Sequence, residues 1–133
     1  MDRVFLDANV LFSAAYGSPS LQRLWVLAAE GRCRLLSCAL AVEEARRNLD
    51  TLAQRRRLAR YVREVELVEQ PVEGECPPEL PAGDRLIFLA AAAARATHFL
   101  TGDARHFGAH YGRRVLGVRI QKPGEYLVPG VPT

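Results

Sequence analysis

Residues 83–108 read GDRLIFLAAAAARATHFLTGDARHFG, and the order of patterns within them decides the fold. Asp84, following Gly83, stands at the N-cap position of an apolar helix through Leu86–Ala94. His98, Phe99 and Leu100 then read as a short strand ending in the polar turn Thr101–Gly102–Asp103, where glycine lets the backbone bend tightly.

Working outward, the same alternation recurs. Val4–Phe5–Leu6 is an apolar run stopping at Asp7, as expected of a buried parallel strand, and Asn9–Ala15 continues helically. Ser18, Pro19 and Ser20 mark the start of a helix over LQRLWVLAAEG. Arg34–Cys38 reads as a second strand. Ala39 to about Val65 reads as helical, broken near Asp50, which can cap the second segment. Val65–Val68 is a third strand, and Gln70–Gly83, with four prolines and two glycines, is a loop. Arg113–Gln121 suggests one last strand, followed by a terminal turn at Pro123–Glu125. Strands alternating with helices predict an α/β fold: three layers, α/β/α, around a central, mostly parallel sheet of four to five strands. At 133 residues the chain is expected to be a single domain, residues 1–133.

Composition excludes several classes. The apolar fraction, 49%, is that of a globular protein. No apolar stretch reaches the roughly 18 residues that span a bilayer. Three cysteines without a CxxC pair argue against a disulfide framework, and with no signal peptide visible a cytoplasmic location is expected. The net charge of +3, carried by seventeen arginines and one lysine, is a mild lean toward polyanions rather than a nucleic-acid footprint.

The acids carry more information. Asp7, Asp84 and Asp103 sit at the edges of apolar runs, where a parallel sheet would gather them beyond its strand ends. Glu44 joins them. On a helical wheel with the stripe Cys38, Ala41, Val42, Ala45, Leu49 and Leu52 buried, Glu44 lies about 110° from its centre and Glu43 about 150°. Glu44 therefore borders the packed face, whereas Glu43 points to water. Clustered carboxylates repel and lose hydration, so the arrangement is unfavourable unless a cation or substrate offsets it, and hard oxygen donors suit Mg²⁺ or Mn²⁺. Each aspartate also has a plainer reading as a helix cap, compatible with a second role because a carboxylate has two oxygens. Asn9 can orient Asp7 or a bound water, and the Thr101 hydroxyl can bind a metal-ligated water or a phosphate oxygen. Arg85 and Arg105, beside the acids, are candidate phosphate contacts; the arginines between Arg46 and Arg63 read mainly as a solvated helix face. His106 and His110, spaced i, i+4, read as a surface pair.

DANVLFSA, SCALAVEEARRNL and GDRLIFLAAAAARATHFLTGDARHFG together resemble the PIN domain (PilT N-terminus), small metal-dependent ribonucleases that include VapC-type toxins. The resemblance runs from about Val4 to Leu127. It implies hydrolysis of RNA phosphodiester bonds by a Mg²⁺- or Mn²⁺-dependent endoribonuclease with Asp7, Glu44, Asp84 and Asp103 as the acidic quartet. Asn9 and Thr101 stand beside it. It further implies a homodimer and, for toxins, a neutralising antitoxin protein. Many relatives carry another acid three positions beyond the last aspartate; here His106 stands there. Two other readings compete. A haloacid-dehalogenase-type phosphatase also follows its first strand with Asp, but needs a second Asp where this chain has Asn9. A non-catalytic PIN fold acting as an RNA-binding or interaction module would usually have lost an acid, and all four are present.

Overall fold

The computed structural model of the chain describes residues 1–71, 74, 76 and 79–128. β1 (Asp2–Leu6) buries Val4, Phe5 and Leu6 in succession rather than alternately. A strand covered on both faces belongs in the middle of a parallel sheet. β2 (Cys33–Ser37) and β4 (His98–Leu100) flank it, both parallel to it. β3 (Glu66–Leu67) extends the sheet beyond β2, and β6 (Val118–Gln121) extends it beyond β4, each parallel to its neighbour. β5 (Arg114–Val115) closes the other edge, antiparallel to β6, so six strands run in the order β3-β2-β1-β4-β6-β5.

The helices are α1 (Ala8–Tyr16), α2 (Pro19–Ala29), α3 (Ala39–Asn48), α4 (Leu52–Val62), α5 (Ala82–Ala93), α6 (Ala104–Phe107) and α7 (Pro123–Tyr126). With the sheet they form the α/β/α arrangement expected. Phe99 is the centre of the aromatic core: it stacks on Phe5 at 5.7 Å and meets Phe88 and Phe107 at 5.1 Å each. α5 and α6 are thereby pinned against β4. On α2, Trp25 packs on the ring of Tyr61 and donates its indole N–H to the Tyr61 carbonyl at 3.0 Å, tying α2 to α4. No helix among the described residues is long and apolar enough to cross a membrane.

Several local expectations need correction. The single last strand is a hairpin, which makes the sheet six-stranded rather than four- or five-stranded. Leu116 and Gly117 both have positive φ, 52° and 82°, as the two-residue turn of a twisted hairpin demands. α4 is capped by Thr51, not Asp50. The Thr51 hydroxyl accepts from Gln54 N–H at 3.1 Å while the Gln54 side chain accepts from Thr51 N–H, a reciprocal pair that Asp50 has no residue to complete. Leu52, placed on the buried stripe, is 61% exposed because the break before α4 resets the helical phase. α5 begins at Ala82 behind Pro81, so Asp84 lies in its first turn rather than at its cap. Of the proline-rich stretch, residues 72, 73, 75, 77 and 78 lie outside the described residues; Gln70, Pro71 and Gly74–Pro81 where described belong to no helix or strand.

The topology fixes where a ligand can enter. The chain leaves β1 for β2 on one side and later returns to β4 on the other. Parallel strands whose connections depart in opposite directions leave a crevice at their carboxyl ends. Here that crevice lies beyond Leu6 and Leu100.

Candidate functional site

Asp7 is the first residue after β1 and the N-cap of α1. One oxygen, Oδ1, accepts from Ala8 N–H at 2.8 Å. The other, Oδ2, accepts from the Thr101 hydroxyl at 2.8 Å and from the Asn9 amide at 3.2 Å. The side chain is 3% exposed. Burial pushes its pKa up to about 6, against the pull of the Thr101 and Ala8 hydrogen bonds, and the nearby carboxylates of Asp84 and Glu44 push the same way. A carboxylate so held ionises at a cost unless something positive sits beside it.

Thr101 and Asn9 form the frame. The Thr101 hydroxyl is fully buried. It donates to Asp7 and accepts from Asp103 N–H at 3.1 Å and from the Asn9 amide at 3.2 Å. Its lone pairs are thus occupied, which corrects the expectation that it faces a metal-bound water or a phosphate. It positions Asp7 instead. Asn9 closes the loop by accepting from Gly102 N–H at 2.6 Å. A β-carbon at Gly102 would stand 3.3 Å from that amide oxygen, so glycine permits the approach. The end of β1 and the end of β4 are stitched together by this one network.

Asp103 caps α6, accepting from His106 N–H at 3.2 Å through Oδ1. Its Oδ2 lies 2.7 Å from His106 Nδ1. Asp84 Oδ2, reaching across from α5, is 3.1 Å from the same nitrogen. Burial raises the Asp84 pKa, with His106 opposing and Asp103 reinforcing the shift. Glu44 comes from α3, partly buried, while Glu43 is exposed and paired with Arg46 at 2.6 Å.

Asp7, Asn9, Glu44, Asp84 and Asp103 all line one cleft of about 640 Å³, with Ala8, Phe12, Ser13, Asn48 and Gly102. Among the described residues, none of the four acids has an arginine or lysine within ion-pair distance; Asp84 and Asp103 pair only with His106. Arg85 and Arg105 are exposed and do not line the cleft, and the Arg85 guanidinium turns back to the Leu80 carbonyl at 3.5 Å. Within the long arginine run, Arg55 and Arg57 donate to the Leu49 and Ala15 carbonyls, so these two serve helix packing.

His106 differs from its expected place. It pairs with two carboxylates rather than with His110, because α6 ends at Phe107 and a 3₁₀ turn, Gly108–His110, carries His110 away. The i, i+3 spacing from Asp103, with an aspartate at the helix cap, was the available signal. Ser13, Phe12 and Asn48 were also missed; nothing in their local sequence distinguishes them from ordinary helix residues.

No protein-family model matches the chain, and no curated protein matches its sequence. Among solved structures, a chain of the FitAB complex bound to an IR36 DNA fragment is similar. The TM-score is 0.52 at 18% identity, over 90% of this chain and 94% of that one. The likeness establishes the fold alone, a PIN-like α/β/α arrangement.

Proposed function

We propose that this protein is an endoribonuclease of the PIN type, hydrolysing RNA phosphodiester bonds with Mg²⁺ or Mn²⁺. The observation that carries the reading is the convergence of four acids from four separate segments on one cleft where, among the described residues, no arginine or lysine pairs with them and only His106 stands beside two of them. The donor set fits such an ion: carboxylate oxygens, one of them buried where its ionisation is costly without a positive charge beside it. Asp7 and Asp103 would hold the cation directly, with Asp84 and Glu44 completing the site. When bound, a divalent cation lowers the pKa of a coordinated water and offsets the charge building on the leaving oxygen.

The chain's own groups do the rest. Thr101 and Asn9 keep Asp7 in one rotamer, so the site needs no rearrangement as the phosphate arrives. Glu44 lines the cleft with its carboxylate in no side-chain hydrogen bond or ion pair among the described residues, and it would orient the attacking water and take its proton. As water adds at phosphorus, the leaving oxygen departs with the other half of the RNA. Arg85 and Arg105 would contact phosphates outside the cleft, with binding that weakens as salt rises.

A protein partner is part of the proposal: an antitoxin occupying the same protein, supported by a structural neighbour that is a toxin–antitoxin complex. A homodimer in the cytoplasm completes the reading. The test is purified protein with single-stranded RNA and Mn²⁺ or Mg²⁺. Cutting that disappears with chelator and with Asp7→Asn supports it. Binding of several RNAs without cutting any would favour the non-catalytic module instead.

A further inference from the structure

We propose that His106 is itself a metal ligand, and that with Asp84 and Asp103 it makes a mixed nitrogen–oxygen site preferring transition-metal ions such as Mn²⁺ over Mg²⁺. The inference rests on reading the cleft as a divalent-cation site and specifies which ion that site takes.

The three donor atoms arrive from two elements. Asp103 and His106 lie one turn apart across α6, and Asp84 faces them from α5. Asp103 spends Oδ1 on the helix cap, leaving Oδ2 turned toward the ring. His106 Nδ1 then lies 2.7 Å from Asp103 Oδ2 and 3.1 Å from Asp84 Oδ2, and a ligand atom from each of the three residues falls within 4.8 Å of the other two. A proton on Nδ1 can satisfy one carboxylate well, not two. Without it, a nitrogen lone pair and two carboxylate oxygens point into a common space, which is a donor set for a cation.

The choice of ion follows from the donors. Mg²⁺ demands oxygen in a near-ideal octahedron and gives up its waters reluctantly, so an imidazole is a poor exchange for it. Divalent ions of the first transition row accept imidazole, with affinity rising from Mn²⁺ onward. A carboxylate at position 106 would leave the site all-oxygen; histidine biases it away from Mg²⁺. His106 is also half-exposed, so replacing it removes a donor without opening the core.

The direct test is pulsed electron paramagnetic resonance on the metal-free full chain loaded with Mn²⁺ alone, before any RNA is added. Wild-type protein should show ¹⁴N modulation from a directly bound imidazole, lost in both His106→Asp and His106→Ala. In parallel, the Mg²⁺ concentration that displaces half the Mn²⁺ should fall about tenfold or more in His106→Asp. Bound Mn²⁺ with no ¹⁴N modulation, or modulation that survives both variants, overturns the inference while leaving an all-carboxylate site standing. Protein that takes up no Mn²⁺ at millimolar concentration overturns both the inference and the cation reading beneath it.

Discussion

The two ends of the sheet carry hollows of comparable size and opposite character. At the amino ends of β1 and β4 a concavity of about 450 Å³ is walled by Arg95, Arg114 and Arg119, with Asp2, Thr97 and His98. At the carboxyl ends of the same strands lies the acidic cleft of about 640 Å³. At the amino end several of the polar groups are settled locally. Asp2 accepts from the Tyr126 hydroxyl at 2.8 Å, the Thr97 hydroxyl donates to the Arg3 carbonyl at 3.0 Å, and Arg119 donates to the Gly112 carbonyl at 3.2 Å. At the carboxyl end a nearly inaccessible carboxylate is held among other carboxylates, and its proton affinity is raised. Volume does not separate the two; unbalanced buried charge does. Perturbed, buried charge in a cleft is what makes the carboxyl end the candidate site.

The comparison is most sharply tested by substitutions at each end. Asp7→Asn should lower RNA cleavage by about a hundredfold or more, as loss of a group central to the charge-stabilising machinery does. Arg95→Ala and Arg119→Ala should leave cleavage within about twofold. Equal losses at both ends, measured as initial rates on a labelled single-stranded RNA, would erase the distinction.

Next in size is Thr101→Val, which keeps the shape and removes the hydroxyl that serves Asp7, Asn9 and Asp103 together. Three polar groups lose a partner in a buried place, so the fold should lose about 1–3 kcal/mol in urea melts and cleavage should fall about tenfold. A Thr101→Val protein as stable as the parent would mean that the frame is ornamental.

The raised proton affinity of Asp7 has a stability consequence of defined sign. Its carboxyl ionises near 3.8 in the unfolded chain and near 6 in the folded one. The folded state therefore takes up the proton first as pH falls, and wild-type stability should rise from pH 7 to pH 4 relative to Asp7→Asn. At pH 7.5, with no divalent ion present, Asp7→Asn should be more stable by about 2–3 kcal/mol, the advantage vanishing below the unfolded value. The same curve with the variant less stable at pH 7.5 would show that Asp7 is locally satisfied, as Asp2 is.

The smallest expected effect is at Gly102. Alanine there has no positive φ to adopt but meets Asn9 Oδ1 at 3.3 Å, so that contact must yield by a few tenths of an ångström. Cleavage should drop a few-fold with a stability change of about 1 kcal/mol or less. A large loss of stability would place the constraint in the backbone rather than in the Asn9 contact.

Much of this molecule is legible in its sequence because its signals are local. The unbroken apolar run Val4–Leu6 announces a doubly covered strand, and Ser18 before Pro19 announces α2. The helical wheel separates Glu44 from Glu43 because α3 is regular throughout that turn. The misses share a cause. Whether Asp50 or Thr51 caps α4 depends on a partner three residues on, and whether Leu52 is buried depends on where the helix restarts. The role of Thr101 and the partnership of His106 are tertiary: each is decided by an oxygen 94 or 22 positions away, and His110 is parted from His106 because α6 ends at Phe107. Arg85 and Arg105 lie beside the acids in sequence, yet neither guanidinium enters the cleft, since neighbours on a helix point to different faces.

The central claim is that the four acids are gathered to hold a divalent cation. It is tested most directly by an anomalous difference map from crystals grown with Mn²⁺ at neutral pH. The account predicts a peak in the cleft, in contact with Asp7 or Asp103, that disappears in crystals of Asp103→Asn. A map with Mn²⁺ bound elsewhere on the surface and only water among Asp7, Glu44, Asp84 and Asp103 would contradict it.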